Sequence, residues 1–560
     1  MTLDGMLDAA FARAFPGIWT GGARALPATD AKFGDYQCND ALKLAKKAGM
    51  KPREAAEKVA AELAGGDAFS KVEVAGPGFL NLTVRGEWLA GRLEELDSST
   101  YLGIAQTGSG RKVVIDYSSP NAAKQMHIGH IRSTVIGNAI DRIYRALGYD
   151  VIADNHLGDW GTQFGILIKG YRECLTDAER GNLTVAALEK CYVLSAARAK
   201  EEDGVWKDAC RAELVKLQQG DPENTALWRR FIDISIAEFE RMYAKLGVRF
   251  DTYRGESHYN AAMPGVVERL VAAGLAKESE GALVVDLSAE NLGVAIVRKS
   301  DGGFNYTTSD LACVESRVAE YDPERIVYVT DDRQKLHFAQ FFSICAKTGV
   351  KTKLVHVPFG LMSYQGKAIS TREGNLIKLD DLLAEAQRRA YEIVKDRGGD
   401  EKLAEQIGIG AVKYADLSHD PATAIDFDWD KALALEGNSG PYLQYAYARV
   451  CSLLDKAAES GASSPGEAGF SVATQYEKRL ALALLEFPGA VARAAAAYKP
   501  SILADWLFQT SQAYSAFYQN TPVLKSAEPE RGARLRICSL FGKVLSKGLG
   551  MLGIETPRRI

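Results

Sequence analysis

The clearest pattern in the chain is an apolar run, a segment of helical period and a second apolar run. Residues 112–117 read KVVIDY, which is typical of a strand buried in a parallel sheet. Residues 131–147 place apolar side chains at helical spacing and stop before Gly148, and residues 150–155 read as a further strand. This order predicts the first βαβ unit of a doubly wound parallel sheet.

The same strand pattern returns far downstream. Residues 325–330 and 353–360 are apolar strands, and 282–298 predict two strands that lead into the segment FNYTTSDLA. Residues 176 to about 250 are mostly charged helix, which we interpret as an insertion within the sheet-forming fold. From about 430 to the end, helical periodicity dominates.

The N-terminal stretch, up to about residue 106, predicts a small α/β unit. Residues 42–63 have a helical period, and residues 72–84 read as two short strands around a Gly-Pro-Gly turn. The chain is therefore predicted to be α/β, with a small α/β unit before the parallel sheet and an all-α region after it.

Composition narrows the class of protein. The chain has 560 residues, 68 Lys and Arg, 72 Asp and Glu, and a formal net charge of −4. These values exclude a disordered chain, a fibrous repeat and a small disulfide scaffold. The eight cysteines are at least 17 residues apart, so we expect no disulfide framework and a cytoplasmic protein. No uncharged apolar stretch reaches the roughly 20 residues that span a bilayer, so we expect no membrane partner.

Near-neutral charge argues against a general nucleic-acid coat protein but allows a local basic surface. Residues 531–560 carry seven basic side chains against one acid, Glu555. Arg536, Lys543 and Lys547 lie on one helical stripe. A basic amphipathic helix is usually a solvated face, but this asymmetry also suits an RNA surface.

A candidate phosphate site lies where the first strand leads into its helix. The common GxxxxGK[ST] and GxGxxG fingerprints are absent, and His127-Ile128-Gly129-His130 stands in their place. A helix N-terminus offers unpaired N–H groups to a phosphate, and Gly129 lets a nucleotide approach the backbone. The two imidazoles can donate hydrogen bonds to phosphoryl oxygens. An isolated motif of this kind could also be a capped helix start or a partial metal site.

A basic, glycine-bounded loop follows the last strand of the sheet, at residues 366–375. Alone it would be a mobile surface loop. Together with the His-Ile-Gly-His motif, it resembles the second signature loop of class I aminoacyl-tRNA synthetases, which closes over ATP.

Five segments together resemble arginyl-tRNA synthetases: SSPNAAKQMHIGHIRSTVIGNAI, NHLGDWGTQFG, FNYTTSDLA, QKLHFAQFF and GNSGPYLQYAYARV. The resemblance implies a Rossmann-type catalytic core and ATP-dependent attachment of L-arginine to tRNA(Arg) through an arginyl-adenylate. It implies Mg²⁺ associated with the ATP substrate and no metal site of the protein itself. We expect a monomer.

The resemblance also divides the chain into domains. These are an additional tRNA-binding domain at 1–106, the catalytic core at 107–175 and 300–385, an insertion in the catalytic domain at 176–299, a connector at 386–430 and a helical anticodon-binding domain at 431–560.

One loop departs from the family pattern. The usual class I sequence is K-M-S-K-S, but Ala368 and Thr371 stand at its two lysine positions. Lys367 lies one place earlier, and Lys124 lies three residues before His127. In relatives without the second loop lysine, a lysine upstream of the first motif is thought to replace it. Which lysine contacts the pyrophosphate stays open at this point.

The resemblance assigns roles to individual positions. The catalytic set is His127, His130, Lys124, Lys367 and Arg372. The ATP-binding set is His127, Gly129, His130, Leu361, Met362 and Ser370. Phe79 and Asn81 match a strand that reads the tRNA D-loop, which joins them to Arg536, Lys543 and Lys547 as tRNA-binding residues.

Arginine recognition needs carboxylates, because a guanidinium is a planar fork of five donors. Tyr306 and Asp310 match the family residues that face this group, and Asp116, at the end of the first strand, is a second candidate acid. Asn121 and Gln334 match positions that hold the α-amino and α-carboxylate ends of the amino acid.

Two other functions remain compatible with parts of the sequence. A small-molecule ligase or nucleotidylyltransferase can use an HxGH site, but it would not need the N-terminal unit or the long helical C-terminal region. A non-catalytic RNA-binding paralogue would fit the altered loop lysines, although the intact His-Ile-Gly-His, Tyr306 and Asp310 argue against it.

Overall fold

The computed structural model describes residues 3–28, 30–201, 204–364, 367–368, 377–460 and 468–560. The described residues form two compact units that do not follow chain order. The first unit contains 1–103, 453–487 and 512–542, and the second contains 104–452, 488–511 and 543–560. The five-domain division stays a prediction.

The N-terminal elements are α1 (Leu3–Ala14), β1 (Leu26–Pro27), β2 (Tyr36–Cys38), α2 (Asp40–Ala48), α3 (Pro52–Leu63), β3 (Phe69–Ala75), β4 (Phe79–Val84) and α4 (Gly86–Ser98). The strands form an antiparallel sheet in the order β1-β2-β4-β3. The predicted hairpin is confirmed. The helix predicted over 42–63 is instead two helices, because Gly49 adopts a left-handed φ of 63° and Pro52 begins the next helix.

The first half of the second unit holds β5 (Lys112–Asp116), α5 (Ile128–Ala146), β6 (Asp150–Asn155), α6 (Thr162–Glu173), α7 (Asp177–Gly181), α8 (Val185–Glu201), α9 (Val205–Gln218), α10 (Pro222–Lys245) and β7 (Thr252–Tyr253). The predicted βαβ unit is confirmed. Its helix begins three residues before the predicted start, since His127 caps it.

The next elements are α11 (Met263–Ala272), β8 (Ala276–Ser279), β9 (Ala282–Asp286), β10 (Val294–Arg298), α12 (Tyr306–Tyr321), β11 (Arg325–Asp331), α13 (Lys335–Lys347), β12 (Lys353–Phe359), β13 (Met362–Tyr364) and β14 (Lys367–Ala368). A five-stranded parallel sheet has the order β12-β11-β5-β6-β7. Val113, Val114 and Ile115 of its central strand are fully buried, as a strand covered on both faces requires. The two strands predicted in 282–298 form a separate antiparallel sheet with β8.

The remaining elements are α14 (Leu379–Val394), α15 (Glu401–Leu417), β15 (Ile425–Phe427), α16 (Trp429–Ala432), α17 (Gly440–Glu459), α18 (Gln475–Leu485), α19 (Phe487–Ala497), α20 (Pro500–Asn520) and α21 (Glu530–Met551). The strand β15 pairs in parallel with β13, and β14 pairs with β13 in antiparallel. The all-α character predicted for the C-terminal region is confirmed in its described part.

One stretch, Gln475–Ala497, is long and apolar enough by composition to cross a membrane. This is weak evidence for a span, because core helices of soluble proteins meet the same criterion. The stretch is divided into α18 and α19, and Glu477 near its start accepts a hydrogen bond from Arg534 at 2.8 Å.

Candidate active site

The loop between β5 and α5 lies at the carboxyl edge of the parallel sheet, where open α/β sheets bind ligands. Ser118, Ser119 and Ala123 adopt left-handed φ values of 72°, 47° and 61°. Side chains from elsewhere in the fold hold this backbone: Asn155 Oδ1 accepts from Ser119 N at 3.1 Å, and Ser235 Oγ accepts from Ala123 N at 2.8 Å. Such strain persists only where the surroundings fix it, and it is typical of functional loops.

The two histidines that follow this loop each accept a hydrogen bond from a backbone N–H group at the start of α5. Nδ1 of His127 accepts from Gly129 N at 3.1 Å, and Nδ1 of His130 accepts from His127 N at 3.1 Å. The imidazole centroids are 3.9 Å apart. Because each Nδ1 accepts a hydrogen bond, each neutral ring carries its proton on Nε2 and presents that atom as a donor.

Burial keeps both rings neutral. Burial lowers the pKa of His127, with a further contribution from the Lys124 ammonium, and burial lowers the pKa of His130 to about 3. Gly129 is required here for a steric reason: a Cβ atom would lie 2.9 Å from Cε1 of His127. The helix N-terminus therefore offers two uncharged imidazole donors and an unobstructed backbone.

Lys124 is placed by the helical insertion. Its Nζ lies 5.2 Å from the ring centroid of Tyr192 on α8, within cation–π distance. Tyr192 packs against a buried apolar cluster that also contains Ala122 and Ala123, the two residues before Lys124. The insertion thus supports the loop that carries this lysine.

The second signature loop is described only in part. Leu361 is exposed, Met362 is buried in β13, and the backbone of Lys367 lies in β14. The predicted ATP-binding Ser370 and the predicted catalytic Arg372 lie outside the described residues.

Three of the five predicted arginine-binding residues lie at the starts of two helices. Tyr306 is the first residue of α12 and is 68% exposed, and Asp310 lies one turn later. Gln334 is exposed and immediately precedes α13. Asn121, also exposed, pairs by its backbone with Gly158 on the loop after β6.

Asp116 pairs with Arg317 of the protein itself, whereas the sequence predicts it as an acid for the substrate guanidinium. Its Oδ2 accepts from Nη2 of Arg317 at 2.6 Å, and its Oδ1 accepts from Ser119 Oγ at 3.0 Å. The same guanidinium donates to Oδ2 of Asp154 at 2.6 Å, and all three ionic groups are buried. The carboxylate is already neutralised inside the protein, which argues against its predicted role as a second arginine-binding acid.

Glu256 lies close enough to Asp310 for the two carboxylates to interact electrostatically. Burial raises its pKa to about 7; nearby His156 lowers it, while the Asp159 and Asp310 carboxylates raise it. A perturbed acid in a crevice is a candidate functional group. No local motif marks Glu256, and only the fold brings it into this electrostatic environment.

The predicted tRNA-binding residues divide into exposed and buried groups. Phe79 is half-buried, and Asn81 is buried with its Oδ1 accepting from Gln37 Nε2 at 2.7 Å. Lys543 and Lys547 are exposed on α21.

Arg536, from the same predicted stripe, is only 9% exposed. Its Nη1 and Nη2 donate to the two carboxylate oxygens of Glu94 at 2.8 and 2.6 Å. Its charge is therefore satisfied within the fold. This pairing argues against its predicted role as an RNA contact.

The fold and site are those of a class I aminoacyl-tRNA synthetase. The defining features are the parallel sheet, the paired histidines at its carboxyl edge and the strand that enters a second loop. Family models agree: residues 94–429 match the class I (R) tRNA synthetase catalytic domain, 443–560 the DALR anticodon-binding domain and 6–84 the arginyl-tRNA synthetase N-terminal domain. The chain belongs to the arginyl-tRNA synthetases. The predicted family and fold class are confirmed.

Individual relatives support the same assignment. An arginine–tRNA ligase of Fusobacterium nucleatum is 43% identical over 94% of this chain and 93% of its own length, and one of Laribacter hongkongensis is 41% identical over 94% of each. The solved arginyl-tRNA synthetase of Plasmodium falciparum superposes with a TM-score of 0.85 at 26% identity, covering 100% of this chain and 98% of that one. The Thermus thermophilus enzyme gives 0.83 at 25% identity, covering 100% of both.

Proposed function

We propose that this chain attaches L-arginine to tRNA(Arg) in two steps. The arginine carboxylate attacks the α-phosphorus of ATP in line, which forms arginyl-adenylate and releases pyrophosphate. The terminal adenosine of the tRNA then takes the arginyl group and AMP leaves. The observation that carries the proposal is the pair of neutral imidazoles at the start of α5, each with Nε2 as a donor.

His127 and His130 act on the reacting phosphate and the adenosine. As negative charge grows on the phosphoryl oxygens, pre-oriented donors stabilise it without reorganising. Because burial keeps these rings neutral, they donate hydrogen bonds and do not exchange a full proton. The enzyme supplies position and charge stabilisation rather than a covalent nucleophile.

The leaving pyrophosphate is assigned to the cations of Lys124, Lys367 and Arg372. Lys124 approaches from the loop before α5, and Lys367 and Arg372 belong to the second signature loop. Leu361, Met362 and Ser370 are assigned to ATP by family resemblance.

We expect Mg²⁺ to enter with the phosphates of ATP, where it neutralises charge. Among the described residues, no group of three His, Cys, Asp or Glu side chains could hold such an ion.

Arginine is held at its two ends. Asp310 and Tyr306 face the guanidinium, and Glu256 supplies the second acid in place of Asp116, which is paired with Arg317. Asn121 and Gln334 hold the α-amino and α-carboxylate groups. A carboxylate can accept two parallel N–H bonds from a guanidinium, which a lysine ammonium cannot offer.

The tRNA is contacted through the N-terminal domain and the C-terminal helices. Phe79 can stack on a base, and Lys543 and Lys547 lie near phosphates. We place the enzyme in the cytoplasm as a monomer without a membrane partner.

The deciding assay is capture of radiolabelled arginine on tRNA in the presence of ATP. An active arginyl-tRNA synthetase makes acid-precipitable arginyl-tRNA that depends on all three substrates. A nucleotidylyltransferase or small-molecule ligase consumes ATP without loading tRNA, and a non-catalytic paralogue binds tRNA without loading it. Either of those results would contradict the proposal.

A further inference from the structure

A direct contact joins the two helices that begin at the arginine pocket. Nε2 of His337 on α13 lies 2.5 Å from Oδ2 of Asp310 on α12. The two side chains are 29% and 24% exposed, so both reach the surface of the crevice. Tyr306 lies one turn before Asp310, and Gln334 lies one turn before His337. The contact therefore links the helices that carry the two ends of the proposed arginine site.

We propose that His337 is a positioning residue for arginine recognition, which acts by orienting the Asp310 carboxylate. Its Nε2–H donates to Oδ2, and this fixes the plane of the carboxylate and directs its remaining acceptor positions toward the substrate guanidinium. The inference rests on the proposed role of Asp310. It adds a residue to the arginine site that neither motif spacing nor family resemblance indicated.

Neighbouring aromatic rings fix the position of the His337 imidazole, so it can orient the Asp310 carboxylate. Its ring packs against Phe338 and Phe341, with centroid distances of 5.7 and 5.4 Å. Phe341 is fully buried, and Phe338 stacks on His356 at 4.3 Å with an interplanar angle of 11°. An aromatic cluster thus anchors His337 to the core beside the parallel sheet.

Orientation matters at this carboxylate for a geometric reason. The terminal torsion of an aspartate is broad, so an unsupported carboxylate samples many planes. Bidentate pairing with a guanidinium requires the two groups to be coplanar. In the described part of the chain, His337 is the hydrogen-bond partner of Asp310, so it is the group that selects the plane.

The experiment compares His337→Leu, His337→Asn and His337→Gln by steady-state aminoacylation, with arginine and ATP varied separately. Glutamine carries an amide N–H near the position of imidazole Nε2, whereas asparagine is one methylene shorter and leucine has no donor. We expect His337→Leu and His337→Asn to raise the arginine KM by about 10-fold or more, since a hydrogen bond to a charged group is lost. His337→Gln should stay within about 3-fold of the wild type, and no variant should change the ATP KM.

The controls separate the possible failures. If Asp310→Asn leaves the arginine KM unchanged, the proposed function of Asp310 fails. If Asp310→Asn raises it and His337→Leu and His337→Asn do not, the positioning role is overturned. In an Asp310→Asn background, His337→Leu should add almost nothing, because its effect passes through Asp310.

A merely structural link between the helices would look different. It would lower the melting temperature, raise both KM values and show no recovery with glutamine, and that outcome would also overturn the inference. If His337→Leu does not fold, the matched Asn and Gln variants decide the question alone.

Discussion

Arg132 and Asp416 form a bidentate ion pair that is buried in the protein interior. Nε donates to Oδ2 at 3.0 Å and Nη2 to Oδ1 at 3.2 Å, and the side chains are 1% and 2% exposed. The same guanidinium donates to the carbonyl of Gly360 at 2.6 Å. Arg132 follows His130 by two residues, and Gly360 lies two residues before β13, the strand that enters the second signature loop. The Arg132 guanidinium therefore links the two motifs.

Removing the charge of Asp416 should therefore lower the free energy of unfolding of the enzyme. Asp416→Asn leaves the Arg132 guanidinium buried without its counter-charge, which costs about 3–5 kcal/mol of unfolding free energy. Urea denaturation followed by circular dichroism measures the loss. The matched control is Glu392→Gln, which removes a surface pair with Lys395 and should cost about 0–1 kcal/mol. Equal effects of the two variants would contradict the argument.

The two nitrogen atoms of His127 have separable roles. Nδ1 caps α5, whereas Nε2 is the donor to the phosphate in the proposed mechanism. His127→Asn keeps a side-chain cap acceptor but removes the Nε2 donor, so the melting temperature should hold while turnover falls about 10²–10³-fold. His127→Ala should lose both cap and turnover. Normal aminoacylation by either variant would exclude this imidazole from the mechanism.

The lysine before the first motif should matter more than the lysine of the altered loop. Lys124 is close enough to His127 for its charge to contribute to the lowered pKa of that imidazole. If Lys124 replaces the missing loop lysine, Lys124→Ala should lose far more turnover than Lys367→Ala. Single-turnover adenylate formation, with ATP varied, measures the difference. Equal and mild losses would instead assign the pyrophosphate charge to Arg372 or to the metal ion that accompanies ATP.

Arginine affinity should depend on pH through Glu256. Its pKa of about 7 means that the group is largely protonated at pH 6 and ionised at pH 8. Cationic arginine favours the ionised form, so binding lowers this pKa, and the arginine KM should fall as pH rises from 6 to 8. Initial rates across this range test the slope. Glu256→Gln should flatten it and leave the ATP KM unchanged; a slope that persists in this variant would point to another group.

Substitution of the basic side chains of α21 should have two different effects: loss of tRNA affinity for exposed lysines and loss of stability for the buried arginine. Lys547→Ala should weaken tRNA binding and reduce the salt dependence of the affinity, as expected for a phosphate contact. Arg536→Ala should mainly lower stability, because it leaves Glu94 without its bidentate partner. Filter binding at several salt concentrations distinguishes them, and an unchanged salt slope in Lys547→Ala would remove that residue from the interface.

Four strands of the five-stranded parallel sheet were predictable, because burial on both faces leaves a continuous apolar run, whereas the two-residue β7 was not predicted. β6 begins and ends at the predicted residues, and β5 differs by one. The prediction of one continuous helix over 42–63 was wrong because two residues, Gly49 and Pro52, end one helix and begin the next despite the helical period around them. Local pattern decides such elements only where no breaker intervenes.

The side chains of the candidate site were harder to predict. Asp116 and Glu256 are both acids, and only the fold shows that the first is neutralised by Arg317, which is 201 residues away. The helical period of α21 predicts Arg536 and Lys543 on the same helix face, but it does not predict that Glu94 of α4 packs against Arg536. His337 lies in a segment that supported the family resemblance, yet its partner Asp310 belongs to another helix.

The first compact unit is assembled from both ends of the chain, and this sets the order of events on the ribosome. Glu94 of α4 and its partner Arg536 of α21 are separated by 442 residues in the sequence. At about 5–20 residues per second, the acidic face of α4 is synthesised some 20–90 s before the arginine that neutralises it. The nascent N-terminal domain therefore keeps that face of α4 without its cationic partner until the arginine of α21 has been synthesised.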